Sequence, residues 1–465
     1  MREKNCSFRM LLPIESRLEG ADWGQRRTRN VAVELNMSTP LIYSNSWVGG
    51  RVEKAISSPP PPSRKVANGE NRAIRITVCH SWKQLEERTS AWEGILRENP
   101  SLSIFSTPEW LGSWWKAFGS NKQMMALAFS TESGALAGLA PFYLDHFQSS
   151  LFGRLGSLRL IGDGSGDSDN LDLIIRPGFE GPCVQAFLRW LANRQDWDVC
   201  SLNTLPEGSA AGRSLMHEIK AAKWPFVLGN CPNSTIHLPA TWQLYLESVS
   251  PDFRPLLTRY PRRLAQRYNV RIRRCEKPDD IPRGLEILFS LHTKRWNMAN
   301  QPGSFDSQER RQFYVQLAES FLEKDWLELW LLELNGTAAA AQFCFRFGGT
   351  VYILQEGFDP GFAADKVGYA LRAAMLQHFI AAGIKRYDFL GGLATHKQKW
   401  GAVPGAYLNL RFARPRSLGS CYLSFADFAD LSKQWLKNNL PPSAWNALHW
   451  FKLSMTNQRP DSPAN

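Results

Sequence analysis

The sequence predicts an α+β protein built as two successive units, each a mixed, mostly antiparallel sheet flanked by helices. Three observations carry that expectation. Asn335-Gly336 and Gly348-Gly349 separate three apolar runs at 326–334, 338–347 and 350–358. Such dipeptides supply the positive φ that tight hairpin turns require, so the runs read as an antiparallel meander. Helical patterns precede the meander and a helix–strand pair follows it, which puts one crossover in the sheet. The segment from 73 to 235 repeats this plan loosely, a hint of duplication.

Residues 1–72 lack sustained periodicity and end in Pro59-Pro60-Pro61-Pro62, so they read as a disordered N-terminal extension. Order begins with the alternating strand Ala73–Val78, and Ser81 caps a helix running to Glu98. Thr107 as N-cap, Pro108 at the first helical position and Gly119 past the end punctuate a short helix. Its Trp110, Trp114 and Phe118 recur at i, i+4 and i+8 and form an aromatic face, read as core packing. Strands follow at 125–129, 135–143 and 158–161. The loop Gly162–Asn170 lacks the ligand spacing of a calcium loop and the Lys-Ser/Thr of a phosphate loop. It reads as a polar loop beside a substrate cleft, or as a plain turn. A strand at 171–175, a helix at 183–194 and a strand at 199–202 complete the unit 73–235.

The unit 236–414 opens with a strand at 236–238, a helix at 242–249 and an arginine-rich helix whose start Pro261 fixes. A strand at 270–274 and helices at 282–296 and 308–324 lead into the meander. A helix at 366–382, a strand at 386–390, a short helix through 397–400 and a strand at 406–413 finish it. The tail 415–465 is helical and amphipathic, with Phe425, Phe428, Leu431, Trp435, Trp445, Leu448, Trp450 and Phe451. It either packs on the domain or lies on a membrane surface.

Composition narrows the class. Of 465 residues, 43% are hydrophobic and 21% charged, which describes a globular chain. No run approaches the ~20 apolar residues of a membrane span, and no signal-peptide pattern opens the chain. The eight cysteines are scattered, without a C-x-x-C pair or a histidine partner at zinc spacing. The expectation is a cytoplasmic protein holding no metal, its tail either packed on the domain or touching the inner membrane. The net charge of +12 is densest between Arg254 and Lys277. It suits a nucleotide, a nucleic acid or an acidic surface, or forms a solvated face.

The chemistry-bearing stretch runs from Tyr352 through Glu356-Gly357-Phe358-Asp359-Pro360 to Lys366-Val367-Gly368-Tyr369. A strand ends in a Gly/Pro loop and a long helix starts at once. A helix N-terminus carries partial positive charge and free N–H groups, which bind phosphate. Gly368 lets a pyrophosphate approach the backbone, and Lys366 adds a cation. Upstream, Arg259, Arg263 and Arg267 recur at i, i+4 and i+8, suited to an anionic substrate, a lipid-linked sugar phosphate or tRNA.

These residues resemble a known family. Leu291-His292-Thr293-Lys294-Arg295-Trp296, Gly303-Ser304-Phe305, Gly336 with Ala339-Ala340, Gly357–Pro360, Gly368, Tyr387-Asp388-Phe389-Leu390-Gly391 and Lys397-x-x-Trp400-Gly401 look like the GNAT-type acetyltransferase domain of CelD-like proteins. That family is named for cellulose biosynthesis and is distantly related to the Fem-type transferases that build peptidoglycan bridges. Phe105-x-x-Pro108-x-Trp110-Leu111-x-x-Trp114-Trp115 resembles its N-terminal half, so the likeness spans 74–414. Two departures stand out. The common Gln/Arg-x-x-Gly-x-Gly/Ala signature is shortened to Asp365-Lys366-Val367-Gly368-Tyr369-Ala370, and the usual Tyr-Lys reads His396-Lys397.

The resemblance implies two tandem GNAT-like units and acyl transfer from acetyl-CoA, or another acyl-CoA, to an amine or hydroxyl of a small-molecule or glycan-precursor acceptor. Exopolysaccharide or envelope metabolism is the implied setting. Gly357, Lys366, Val367, Gly368 and Tyr369 would hold the cofactor. Such transfer needs a base, an oxyanion donor and an acid for the leaving thiolate. Glu356 is the candidate base and Asp388 its rival; Tyr352 and His396 are candidate acids. Arg259, Arg263, Arg267, Trp296, Lys397 and Trp400 are the candidate substrate contacts. The alternatives are a Fem-like transferase using aminoacyl-tRNA and a non-catalytic assembly protein on the same fold.

Overall fold

A computed structural model describes residues 73–298, 303–392 and 395–439, without the side chains of 395 and 429–439. The extension 1–72 and the tail beyond 439 lie outside the described residues. The first unit contains β1 (Arg75–Cys79), α1 (Trp82–Glu86), α2 (Thr89–Glu98), α3 (Pro108–Phe118), β2 (Gln123–Met124), β3 (Ala126–Ser130), β4 (Leu136–Ala140), β5 (Phe142–Ser149), β6 (Gly153–Leu160), β7 (Ile174–Ile175), α4 (Glu180–Ala192), β8 (Val199–Pro206), α5 (Ala210–Ala221) and β9 (Phe226–His237). The second contains α6 (Trp242–Ser248), α7 (Arg254–Arg267), β10 (Val270–Arg274), α8 (Asp280–Met298), α9 (Gln308–Glu323), β11 (Leu327–Leu334), β12 (Thr337–Phe347), β13 (Thr350–Phe358), α10 (Val367–Ala381), β14 (Arg386–Gly391), α11 (Thr395–Lys399) and β15 (Val403–Phe412). Then α12 (Leu418–Asn439) leads into the tail.

The meander forms as its hairpin dipeptides require: Asn335, Gly336, Gly348 and Gly349 all have positive φ, and β11–β12–β13 pair antiparallel. Each unit then makes one crossover to a parallel neighbour, β6 to β8 and β13 to β14. The fold is α+β, with mixed sheets flanked by helices.

The units do not keep separate sheets. The order β10-β11-β12-β13-β14-β9-β15-β8-β6-β5-β2 forms one eleven-stranded sheet, beside a four-stranded sheet β1-β3-β4-β7. The last strand of the first unit, β9, pairs with β14 of the second. The last strand of the second, β15, pairs with β8 of the first, and the two exchanged strands pair with each other. The expected division at 235/236 therefore falls inside β9.

Three local expectations are revised. The helix α7 starts at Arg254 with Pro255 in its first turn, and Pro261 lies inside it. A proline near the start costs no hydrogen bond, whereas Pro261 forgoes one. Residues 171–173 are not strand, since only Ile174–Ile175 pair with β4. The helix α5 was not anticipated, its mixed polar pattern being weak; Ser209 caps it by accepting from the Gly212 N–H.

The aromatic face of α3 is core, and it joins the units. Trp110 lies 5.5 Å from Phe313 and 6.2 Å from Phe321 of α9, and Phe118 lies 5.4 Å from Phe313. The cysteines behave as small apolar residues, with Cys79, Cys183, Cys200, Cys231, Cys275 and Cys344 buried and Cys421 exposed. The start of α12 packs on the β5–β6 hairpin through Tyr422, 5.3 Å from Phe147. Among the described residues no helix is long and apolar enough to cross a membrane.

Candidate active site

The strands β13 and β14 pair in parallel only at Thr350–Arg386, Val351–Tyr387 and Tyr352–Asp388. β13 runs on to Phe358 beyond that pairing, leaving a wedge at the carboxyl ends of two parallel strands. Glu356 sits in the wedge and accepts from Arg295 of α8 at 3.2 Å, from Gln342 at 3.2 Å, and from Arg372 of α10. The helix α8 packs into one hydrophobic core and α10 into another, so the two guanidinium groups reach Glu356 from opposite faces of the sheet. Both arginines are buried, which makes the acid a requirement: an unpaired buried guanidinium is costly.

The α10 side of the wedge is filled. Arg372 lies 5.1 Å from both the Phe389 and Trp400 rings. Tyr369 stacks on Trp400 at 5.5 Å, and Phe253 meets Trp400 edge-on at 5.1 Å. The open space beside this filling is lined by Asp167, His292, Arg295, Trp296, Glu356 and Lys397, with Arg372 and Phe389 at its α10 edge. Its free volume of about 80 Å³ holds a reacting group and a few waters, not a whole donor.

The first unit builds the far wall. Trp110 and Trp114 of α3 donate their indole N–H groups to Ser168 and Ser165 at 2.9 and 3.0 Å, fixing the Gly/Asp loop. Asp167 then accepts from Arg310 at 3.1 Å and from the Tyr314 hydroxyl at 3.0 Å; Asp169 accepts the Gly391 N–H at 2.8 Å. The Gly/Asp loop thus lines the cavity through Gly166, Asp167 and Asp169.

Lys397 closes the site from α11. Its Nζ donates to the carbonyls of Gly391, Gly392 and Phe389 at 2.8, 3.0 and 3.2 Å. These carbonyls converge because Leu390 takes a left-handed φ of 59° and breaks the β14–β9 register. Asp388 caps that kink by accepting the Leu390 N–H at 2.8 Å. Burial depresses the Lys397 ammonium to about 8, against the raising effect of Asp169 and Asp388. Burial likewise lowers His292 to about 3 and His396 to about 4, so both rings are neutral near pH 7.

The candidate residues from the sequence fall into four groups. Glu356, Trp296 and Lys397 line this cavity together. Tyr352 and Asp388 line a different cavity, across the Tyr352–Asp388 pairing; burial pushes Asp388 up to about 6 and raises Tyr352 as well. His396 is buried beside the site, and Trp400 belongs to the aromatic filling of the wedge. Arg267 pairs with Asp365, which also accepts from the Tyr268 hydroxyl, while Arg259 and Arg263 are exposed.

At the donor turn, the candidate glycines differ. Gly357 is packing: a Cβ there would meet the His292 backbone nitrogen at 2.5 Å and the Leu291 carbonyl carbon at 2.7 Å. Gly368 has nothing within 4 Å of its missing Cβ. Lys366, in a left-handed conformation and exposed, ends the preceding turn, and its side chain does not cap α10. Val367 is buried; the first-turn N–H groups of α10 face an approach kept open by Gly368.

Sequence reasoning missed Arg372 and set His292 aside as packing. The signal for Arg372 was available: it is the one charged residue between Val367 and Gln377 of an otherwise apolar helix, and such a residue needs a buried acid.

Residues 252–398 match the family model described as an acetyltransferase (GNAT) domain. That span contains Glu356, Arg295, Arg372 and the start of α10, and the chain carries an acyltransferase domain of the GNAT class. No curated protein matches the chain. Among solved structures, the chain is similar to FemX, with a TM-score of 0.50 at 10% identity over 69% of this chain and 95% of that one. It is also similar to L-PGS from Bacillus licheniformis (TM-score 0.42, 15% identity, 71% and 93% covered). A tandem GNAT protein from the clavulanic acid biosynthesis pathway aligns as well (TM-score 0.37, 11% identity, 73% and 98% covered). At such identities the FemX likeness is one of fold.

Proposed function

We propose that the protein transfers an acyl group from a CoA thioester to an amine or hydroxyl acceptor. The observation that carries this reading is the wedge between β13 and β14, followed at once by the open N-terminus of α10. The first-turn N–H groups at Val367 and Gly368, with Lys366 beside them, suit the donor's phosphates, and Tyr369 flanks them. The small space at Glu356 suits the thioester and the acceptor's attacking atom.

The roles follow from what each group has to offer. Glu356 takes the acceptor's proton, releasing its Arg295 bond as it does so. The acceptor bonds to the acyl carbon as the C–S bond breaks, and CoA leaves as a thiolate that takes its proton from water. The Lys397 ammonium, fixed by three carbonyls at the mouth of the wedge, stabilises the charge that develops on the thioester oxygen. Trp296 forms an apolar wall for the acceptor. The CelD-like resemblance supports a glycan-precursor acceptor in envelope or exopolysaccharide metabolism.

Acetyl-CoA at millimolar concentration should raise the melting temperature of the wild-type protein and not that of Gly368→Glu. No shift in the wild type, or equal shifts in both, overturns the donor assignment.

A second reading rests on α7. Its exposed Arg259 and Arg263 lie on the helix that packs beside α10, while Arg267 steadies the turn before it. A nucleic-acid donor such as aminoacyl-tRNA would use that face. Salt-sensitive tRNA binding lost on neutralising Arg259 and Arg263 would favour this reading over acyl-CoA.

A further inference from the structure

A second cavity, of about 400 Å³, lies on the other side of the Tyr352–Asp388 pairing, within the size range of small-molecule sites. Its floor is one face of four neighbouring strands. The registers Tyr352–Asp388, Asp388–Thr235 and Thr235–Val403 put these residues side by side, and Arg386 with His237 and Asn233 with Gly405 continue the row. The roof comes from the first unit, at Ser101–Ser103, Asn170 and Gly208-Ser209. The cavity thus exists only because β9 and β15 are exchanged between the units.

The lining has a definite chemistry. It sets one carboxylate, Asp388, against one guanidinium, Arg386, with no surplus of either charge to hold a phosphate. The remainder is mostly hydroxyl and amide, in short side chains on rigid strands. Arg386 donates through Nε to Thr350 at 2.9 Å, which leaves its terminal N–H groups for the cavity. Asp388 uses Oδ1 on the Leu390 N–H, leaving Oδ2. The Asn233 and Thr235 side chains make no hydrogen bond among the described residues, and both line the space. The Asn233 amide lies where a Cβ on Gly405 would be, 2.4 Å from its Oδ1, so the glycine makes room for an amide turned across the floor.

We infer that this cleft binds a neutral polyhydroxyl ligand, a sugar residue, through Asn233, Thr235, Arg386 and Asp388. Mixed donors and acceptors at short spacing on a rigid floor match the alternating hydroxyls of a sugar ring, and Phe347 and Tyr352 supply apolar faces for its C–H groups. The site stands back to back with the wedge, on the other side of the Tyr352–Asp388 pairing.

The test uses the full chain without an acyl donor, so its result is independent of the donor assignment. Saturation-transfer NMR is recorded with glucose and with N-acetylglucosamine, each at millimolar concentration, and affinities are taken by titration. Binding of at least one sugar is expected, weakened at least tenfold by Thr235→Val and by Asp388→Asn measured separately, and unchanged in Glu356→Gln. Near-wild-type melting temperatures establish that each variant is folded. The inference is overturned if neither sugar binds, if binding survives both cleft substitutions, or if Glu356→Gln abolishes it.

Discussion

Arg372 and Glu356 form an ion pair in the wedge between β13 and β14, and Arg295 completes it from the opposite face of the sheet at 3.2 Å. The carboxylate is the common counter-ion of two buried guanidiniums, so removing it strands two charges. Glu356→Ala should destabilise the protein by about 3–5 kcal/mol, the range for breaking a buried pair. Glu356→Gln keeps the shape and an acceptor oxygen and should cost less, while lowering acyl transfer at least a hundredfold, the span of general-base contributions. Denaturant unfolding and initial rates measured on the two variants separate these effects. Equal stability of Glu356→Ala and wild type would rule out the double pairing.

The wedge was half legible in the sequence. Glu356 was readable because it lies at the end of a strand before a glycine- and proline-marked loop, and Lys397 because of the Lys-x-x-Trp-Gly pattern. Their partners were not, since Arg295, Arg372 and Asp167 reach the site from three elements far apart in sequence. The meander was readable from its turn dipeptides, which act locally. The strand exchange of β9 and β15 was not, because period-two patterning says which face of a strand is apolar and nothing about its neighbour. Tyr352 and Asp388 illustrate the same limit: placed beside Glu356 by sequence proximity and family likeness, they line the opposite cavity.

Two glycines of the donor loop should respond oppositely to alanine. At Gly357 the added methyl collides with the backbone of α8 at His292 and Leu291, which cannot move aside. Gly357→Ala should lose about 1–3 kcal/mol or more, as overpacked sites do. At Gly368 the methyl meets nothing, and alanine is the better helix former by about 0.8–1.0 kcal/mol. Gly368→Ala should therefore raise the melting temperature of the free protein while weakening acetyl-CoA binding. A gain in stability with unchanged acetyl-CoA affinity would place the donor elsewhere.

Lys397 ties activity to pH. Burial depresses its ammonium from an ordinary value of 10.5 to about 8, so the cation is lost as pH rises through 8. If that cation stabilises the transition state, kcat/KM falls above about pH 8, and Lys397→Arg, which stays charged, moves the fall upward or removes it. Stability has the opposite slope. Between about pH 8 and 10.5 the unfolded chain holds this proton and the folded one does not, so this group makes the protein more stable as pH rises through that window. A pH–rate profile identical in wild type and Lys397→Arg would remove Lys397 from the mechanism.

The exchanged strands make a prediction about the chain as a whole. Cutting at 235/236 severs β9 and leaves β8 without the β15 it pairs with from Cys200 to Pro206. Each half would also expose the α3–α9 contact, where Trp110 and Phe118 meet Phe313. We expect residues 73–235 and 236–414, expressed separately, to be insoluble or to lack cooperative unfolding, because each carries an unpaired strand edge and an uncovered aromatic face. Expressed together, they should associate into a particle of the intact chain's size, since every missing partner is then present. Circular dichroism melts of the separate halves, and size exclusion of the pair, decide the matter. A cooperative melt of either half alone would mean that its exchanged strand is an accessory to its core rather than part of it.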